Sequence, residues 1–197
     1  MSLYNAQISA GSLMLPESRR IARLLLTHPD RKMWTAAIEH DNVLQKKSPA
    51  TARRQAELIR KRLDTLDETG WTLIAEGEHE VALQTLLAAA IKHSRLLADF
   101  IRDVVAGHLR RLETKLSPQD WDAFFAECIQ RDPGIAELAA STQAKLLEVI
   151  LRILVEAKFL ASRRSLRLTP PLLHPDVQRY LRARSDAAVL AAMELKQ

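Results

Sequence analysis

Apolar residues recur along the chain at the three- and four-residue spacing of amphipathic α-helices. The clearest example begins at Ser48 and Pro49, because serine is a good N-cap and proline suits the first helical turn. Its apolar stripe, which we expect to face the core, consists of Ala52, Ala56, Ile59, Leu63 and Leu66. Alternation of β-branched residues is scarce, and the chain has only five glycines. The pattern therefore predicts an all-α protein, folded as a compact multi-helix bundle.

Turn and capping residues divide the rest of the pattern into further helices. The run from Glu80 to Leu112 contains no proline and predicts one long central helix. Ser117 and Asp120 resemble a capping box at the start of a helix that carries Trp121. The other predicted helices are Glu17 to Leu26, Arg31 to about Asn42, Pro49 to Leu66, a short piece between Gly70 and Gly77, Ser141 to Leu160, Val177 to Arg182, and Asp186 to Leu195. We expect a single all-helical domain over residues 1–197, which would divide, if at all, into a helix-turn-helix-like part (1–66) and a helical bundle (67–197).

The net charge is only +5, but the charges are unevenly distributed. The stretch from Lys46 to Arg62 holds seven basic residues and one acid, whereas Asp64 to Glu80 holds six acids and neither Lys nor Arg. A second basic stretch, Lys158 to Arg184, holds seven cations and one acid. Clustered cations are typical of nucleic-acid-binding surfaces, although a single charge run is also common on an ordinary solvated face.

The helix predicted from Pro49 carries its cations opposite its apolar stripe. Arg53, Arg54, Arg60 and Lys61 fall within an arc of roughly 120° on a helical wheel. A short link, Val43 to Lys47, joins this helix to the preceding one, as in a helix-turn-helix. The alternative is that Glu57, in the middle of the arc, only pairs with these cations on a solvated face. The candidate nucleic-acid contacts are Lys46, Lys47, Ser48, Arg53, Arg54, Arg60, Lys61 and Arg62, and a second candidate basic patch comprises Lys92, His93, Arg95, Arg163, Arg164 and Arg167.

Motifs for catalysis, phosphate loops and metal binding are missing from the sequence. The single cysteine, Cys128, lies among aromatic residues of an amphipathic pattern and is interpreted as a buried structural thiol. We therefore assign no catalytic, metal-binding or cofactor-binding residue. The apolar stretch Leu146 to Leu160 is interrupted by charges and predicts a core helix rather than a membrane span. With no signal peptide visible at the N-terminus, we expect a cytoplasmic protein.

Several sequence blocks resemble the BrxA family of bacterial BREX phage-exclusion systems. They are SAGSL (9–13) with ESRRIA (17–22), DNVLQKKSPATARRQA (41–56) and AAAIKHSRLL (88–97), and the resemblance continues through Trp121, Cys128 and Tyr180. It thus covers nearly the whole chain. The resemblance implies a non-catalytic defence component with a fold similar to the antitermination factor NusB and with affinity for double-stranded DNA.

Charge pattern and resemblance together predict a DNA-binding accessory protein that contacts mainly phosphates and has weak sequence preference. One alternative is a scaffold that docks other BREX proteins through its cationic face or through the acidic stretch 64–80. A second alternative, which follows from the similarity to NusB, is an RNA-binding protein.

Overall fold

The computed structural model of the chain describes residues 3–4 and 6–194, and most of them are helical. The α-helices are α1 (Leu15–Leu26), α2 (Arg31–Thr35), α3 (Pro49–Leu63), α4 (Glu68–Glu76), α5 (His79–His93), α6 (Arg95–Asp99), α7 (Ala106–Arg110), α8 (Pro118–Arg131), α9 (Ala140–Glu156), α10 (Pro175–Ala183) and α11 (Ala187–Met193). Within these residues the only extended pairings are two isolated bridges, Lys115 with Arg167 and Leu160 with Leu168. The all-α prediction is confirmed. Leu195, the predicted end of the last helix, lies outside the described residues.

Short 3-10 and π-helical turns complete the backbone. The 3-10 turns are Gln7–Ala10 and Pro133–Glu137. A π-helical turn, Ala36–His40, extends α2, and another, Phe100–Val105, joins α6 to α7. Because a π turn inserts an extra residue, each one shifts the side chains that follow around the helix axis.

The prediction of one long central helix from Glu80 to Leu112 is wrong. The chain leaves the helical conformation at Ser94 (φ −121°, ψ 104°), so α5 ends at His93 and a new helix starts at Arg95. The Ser94 hydroxyl accepts a hydrogen bond from the Leu97 amide at 3.3 Å. Serine competes in this way with the helical hydrogen-bond pattern, and here it caps a second helix instead of continuing the first.

Helix α5 forms the centre of the bundle. Every residue from Val81 to Ile91 is buried, and α1, α3, α4, α6, α10 and α11 all pack against the helix. A helix that is surrounded by other helices must be apolar all round, which explains why its sequence lacks a polar face. The remaining helices therefore present one face to α5 or its neighbours and the other face to solvent.

Helix α3 packs against α1, α5 and the π turn of α2. The five residues of its predicted apolar stripe are all buried, which confirms that stripe. Its other side faces solvent, with Arg53, Arg54 and Lys61 exposed. The packing of α3 on the bundle thus fixes which cations are available to a partner.

Candidate nucleic-acid interface

A tight turn between α2 and α3 fixes the N-terminus of α3. Asn42 adopts a left-handed conformation (φ 47°), and its side chain accepts from the Lys46 amide at 2.9 Å and donates to the Lys46 carbonyl at 3.0 Å. From α1, Arg20 donates to the Val43 carbonyl at 3.2 Å. Asparagine suits such a turn because its short amide forms hydrogen bonds with nearby backbone groups. The start of α3 is therefore held in one orientation relative to the bundle.

Two of the predicted contact residues on α3 pair with nearby carboxylates. Arg53 lies 3.5 Å from Glu39, and Lys61 lies 2.9 Å from Glu57 one turn away. All four side chains are substantially solvent-accessible, and exposed pairs of this kind contribute little to stability. Their cations can therefore exchange a carboxylate for a phosphate at small cost.

Arg60 is held against an aromatic ring. Its guanidinium carbon lies 4.5 Å from the centre of the Trp34 ring, in a cleft of about 300 Å³ between the extended α2 and α3. Arginine over the face of tryptophan gains a cation–π attraction, so this charge is positioned rather than free to move. Arg53 also lines this cleft.

Four exposed cations in this region make no ion pair with any described residue: Arg31 and Lys32 on α2, Lys47 in the turn, and Arg54 on α3. Arg31 and Lys32 line a shallow hollow of about 320 Å³, and Thr35 borders both this hollow and the neighbouring cleft. We call these four residues the N-terminal cation group. Sequence analysis missed Arg31 and Lys32 because the charge count began at Lys46, although both residues were visible at the start of the preceding helix.

The structure contradicts the prediction that Arg62 contacts nucleic acid. Only 2% of this residue is exposed, and its guanidinium donates to the main-chain carbonyls of Gly11 and Ser12. Burial lowers the pKa of Arg62 to about 10, against a smaller opposing effect of Glu156. A side chain enclosed in this way tethers the N-terminal segment to α3 and cannot reach a partner.

Lys46 and Ser48 also differ from simple exposed contacts. The Lys46 ammonium lies 2.6 Å from Glu17 of α1, and both side chains are largely covered. Ser48 has the extended conformation of an N-cap, but its side chain accepts no hydrogen bond from the helix. Lys46 therefore fastens the turn to α1, whereas the first-turn amides of α3 have no side-chain cap.

The second predicted patch is divided between separate parts of the molecule. Lys92 binds Asp186, just before α11, at 2.8 Å, and Arg95 binds the buried Asp99 at 2.9 Å. His93 lies near the end of α3; burial, together with the charges of Arg62 and Lys61, lowers its pKa. Arg163, Arg164 and Arg167 belong instead to the exposed segment that follows α9.

Comparison with known proteins then decides the family. A sequence model of the BrxA family matches residues 2–185. The chain belongs to the BrxA family. It is 40% identical to the "BREX protein BrxA" of Paramagnetospirillum magneticum over 98% of this chain and 96% of that one. The corresponding protein of Escherichia coli, which carries the same description, is 37% identical over 95% of this chain and 88% of its own length.

A solved structure shows the same fold. The crystal structure of an uncharacterized protein from Magnetospirillum magneticum superimposes with a TM-score of 0.91 at 38% identity, over 98% of this chain and 99% of that one. The resemblance to BrxA made from sequence blocks is thus confirmed. The expected similarity to NusB and the helix-turn-helix interpretation of α2 and α3 stay predictions.

Four of the six acids in the acidic stretch of this BrxA-family chain pair with residues elsewhere in the chain. Burial alone would raise the pKa of Asp67, but the hydrogen bond from the Gly70 amide and then the ion pair with Arg184 hold this pKa below its ordinary value. The other pairs are Glu76 with Arg23 at 3.0 Å, Glu68 with His28 at 3.5 Å, and Glu80 with Lys158 at 3.6 Å. These pairs join the stretch to other parts of the chain, but Asp64, Glu68, Glu76 and Glu78 stay exposed, so the stretch still presents carboxylates to solvent.

Other candidate chemistry in the BrxA-family chain is sparse. Cys128 is fully buried, and burial raises the pKa of its thiol to about 11, so the reactive thiolate is disfavoured. Among residues 3–4 and 6–194, no group of three or more His, Cys, Asp or Glu side chains is arranged to hold a metal ion. No helix in the same ranges is long and apolar enough to cross a membrane.

Proposed function

We propose that this BrxA-family protein is a non-enzymatic component of a BREX-type phage-defence system and that it binds double-stranded DNA mainly through phosphate contacts. One observation carries the proposal. The N-terminal cation group is exposed, and its members form no ion pairs within the part of the chain that the structure describes. Unpaired cations gain most from a phosphate, because no existing ion pair has to be broken.

The start of α3 adds a second source of attraction for phosphate. Pro49 is the first helical residue, and the Ser48 hydroxyl does not cap the amides that follow. Such amides point along the helix axis and, together with the helix dipole, favour an anion. Lys47 lies two residues before Pro49 in the sequence, so a phosphate at this helix start would meet an exposed cation as well as hydrogen-bond donors.

The same surface supports weak sequence preference. Bidentate recognition of adenine needs an exposed Asn or Gln, and the exposed face of α3 offers neither. The one glutamine on this helix, Gln55, has its side-chain oxygen buried. Arg54 remains able to contact guanine, although in protein–DNA complexes roughly half or more of the hydrogen bonds go to phosphate and sugar.

Charge reversal on matched surfaces tests the proposal. We would compare two double variants. The first combines Lys47→Glu and Arg54→Glu at the proposed surface, and the control combines Arg179→Glu and Arg182→Glu on α10. Both control residues are well exposed, at 77% and 62% of their side chains, and the change in net charge is the same. Fluorescence anisotropy with a labelled ~30-bp duplex then reports the affinity of each protein.

We expect the Lys47 and Arg54 variant to bind at least tenfold more weakly and the α10 control to bind within about twofold of the wild type. Equal weakening by both variants would mean that net charge alone matters, and the proposed surface would be wrong. Competition with duplex RNA of equal length separates the RNA-binding alternative. If wild-type protein binds neither nucleic acid even at low salt, the scaffold alternative replaces the proposal.

A further inference from the structure

An exposed leucine ends α7 in a backbone conformation that favours glycine. Leu112 is 84% exposed and has a φ of 59°. The Glu113 amide donates to the His108 carbonyl at 2.9 Å, and the Leu112 amide to the Leu109 carbonyl at 3.0 Å. This is the hydrogen-bond pattern of a helix C-terminus that usually has glycine at the left-handed position. A leucine there strains the backbone and buries almost nothing, so the fold itself does not account for it.

The loop that carries Leu112 is held in place from both sides. The ring of the buried His108 lies between two carboxylates, with Nδ1 2.6 Å from Glu113 and Nε2 3.0 Å from Asp120. Asp120 in turn accepts a hydrogen bond from the Ser117 amide at 2.6 Å, which completes the capping box of α8. The leucine is therefore presented on a braced loop.

The segment that follows α9 lies alongside this loop. Lys115 and Arg167 form an isolated antiparallel bridge, and the Leu168 amide donates to the Thr114 carbonyl at 2.8 Å. Arg163 also reaches the loop, where it borders a small cavity of about 120 Å³ next to Ser117. Cations from two distant parts of the sequence thus meet at one surface.

Most of the cations at this surface have no acidic partner. Arg111 is bound to Glu113 at 2.9 Å, and Arg163 lies 3.6 Å from Glu148. The others make no ion pair with the residues that the structure describes: Lys115, Arg164 and Arg167. We call the exposed leucine and these three residues the Leu112 patch.

We propose that the Leu112 patch is a second contact surface for duplex DNA, in which Leu112 inserts between base pairs from the minor groove while the surrounding cations bind the flanking phosphates. An apolar side chain that projects from a cationic surface fits this role, since apolar wedges of Leu, Ile, Met or Phe unstack base steps and bend the duplex. This inference rests on the proposed DNA-binding function and adds that the bound duplex is bent.

Two substitutions at one position test the wedge. Leu112→Gly removes the side chain and suits the left-handed backbone, so this variant should fold at least as well as the wild type. Leu112→Ala removes the wedge but keeps a Cβ. Leu172→Ala is the matched control, because Leu172 is 92% exposed and lies outside the patch. Each full-length protein is titrated onto a ~30-bp duplex with a donor and an acceptor dye at its ends, which reports affinity and bending together.

For wild type and the Leu172 control, we expect binding to shorten the distance between the dyes, as for a duplex bent by roughly 20–90°. Both Leu112 variants should lose this shortening and bind about tenfold more weakly, which corresponds to about 1.4 kcal/mol. An unchanged dye distance and affinity in both Leu112 variants would overturn the wedge.

The two proposals fail in different ways. If the Leu112 variants behave as wild type while reversal of Lys47 and Arg54 weakens binding at least tenfold, only the wedge is wrong. If wild-type protein binds no duplex, both are wrong. A binding assay with anionic vesicles tests a membrane contact. If the wild type binds these vesicles, and Leu112→Gly removes this binding without changing DNA binding, the wedge is wrong and Leu112 contacts membranes instead.

Discussion

Replacing Arg62 separates a structural cation of α3 from the cations on the same helix that we propose to bind DNA. Arg62→Met removes the guanidinium but keeps most of the apolar side chain. The lost interactions are two hydrogen bonds from a charged donor to the carbonyls of Gly11 and Ser12. At about 1.5 kcal/mol for each such bond, the free energy of unfolding should fall by about 3 kcal/mol. Glu156, which binds the Leu13 amide at 2.8 Å, also loses a favourable charge.

The assay pairs this variant with Arg54→Met, which removes an exposed cation. For a chain of this size, a loss of 3 kcal/mol corresponds to a melting temperature lower by about 9 °C. Arg62→Met should show that decrease and bind DNA within about twofold of wild type below its melting temperature, whereas Arg54→Met should retain stability within about 0.5 kcal/mol and lose affinity. An Arg62 variant with wild-type stability but lost DNA binding would refute the reasoning, because Arg62 would then have to lie on the binding surface.

Two further predictions concern the contribution of single side chains to stability. Ser94→Ala removes the hydroxyl that caps α6 through the Leu97 amide, and we expect a loss of about 1 kcal/mol in unfolding free energy, measured by urea denaturation with no loss of helical circular dichroism. Hydrogen bonds from Arg102, then from Arg131, outweigh burial and hold the pKa of Asp103 below its ordinary value of 3.8. The stability that these contacts provide is therefore present above about pH 4 and disappears as the pH falls through the lowered pKa. Thermal melts from pH 7 to pH 3 should show Asp103→Asn less stable than wild type at neutral pH, with the difference shrinking in acid; a constant difference would contradict this assignment.

Local features of the sequence predicted a large part of the fold. The stripe of α3 follows from helical spacing alone, and the capping box at Ser117 follows from two residues three positions apart. Both are properties of a few neighbouring residues, so they do not depend on how the helices pack. The same is true of the overall helical class, which reflects periodicity along nearly the whole chain.

Features that depend on tertiary contacts were harder to predict. Ser94 gave no reason to divide the central helix, because serine occurs within helices and its capping role depends on the backbone angles it adopts. Arg62 was grouped with its charged neighbours, although it lies three residues after Ile59 and four before Leu66 and therefore on the apolar stripe. That spacing was the available signal for its burial.

In the candidate surfaces too, some features were visible in the sequence and others depend on tertiary contacts. Counts of charge along the sequence identified Lys47 and Arg54, but they did not show that Lys46 and Arg53 are paired, because their partners Glu17 and Glu39 lie on other elements. Leu112 and Lys115 gave no sequence signal, since their significance depends on a left-handed backbone angle and on a bridge to Arg167. Distant parts of the chain must be brought together before either surface can be recognised.

The salt dependence of DNA binding tests the central claim most directly. If the four residues of the N-terminal cation group each neutralise one phosphate, the logarithm of the association constant should fall against the logarithm of salt concentration with a slope of about 3.6 or more. Removing Lys47 and Arg54 should reduce that slope by about 1.8. Phosphate contacts at this surface predict both slopes, that of the wild type and that of the variant. A slope near zero for the wild type, or an unchanged slope after the two substitutions, would contradict it.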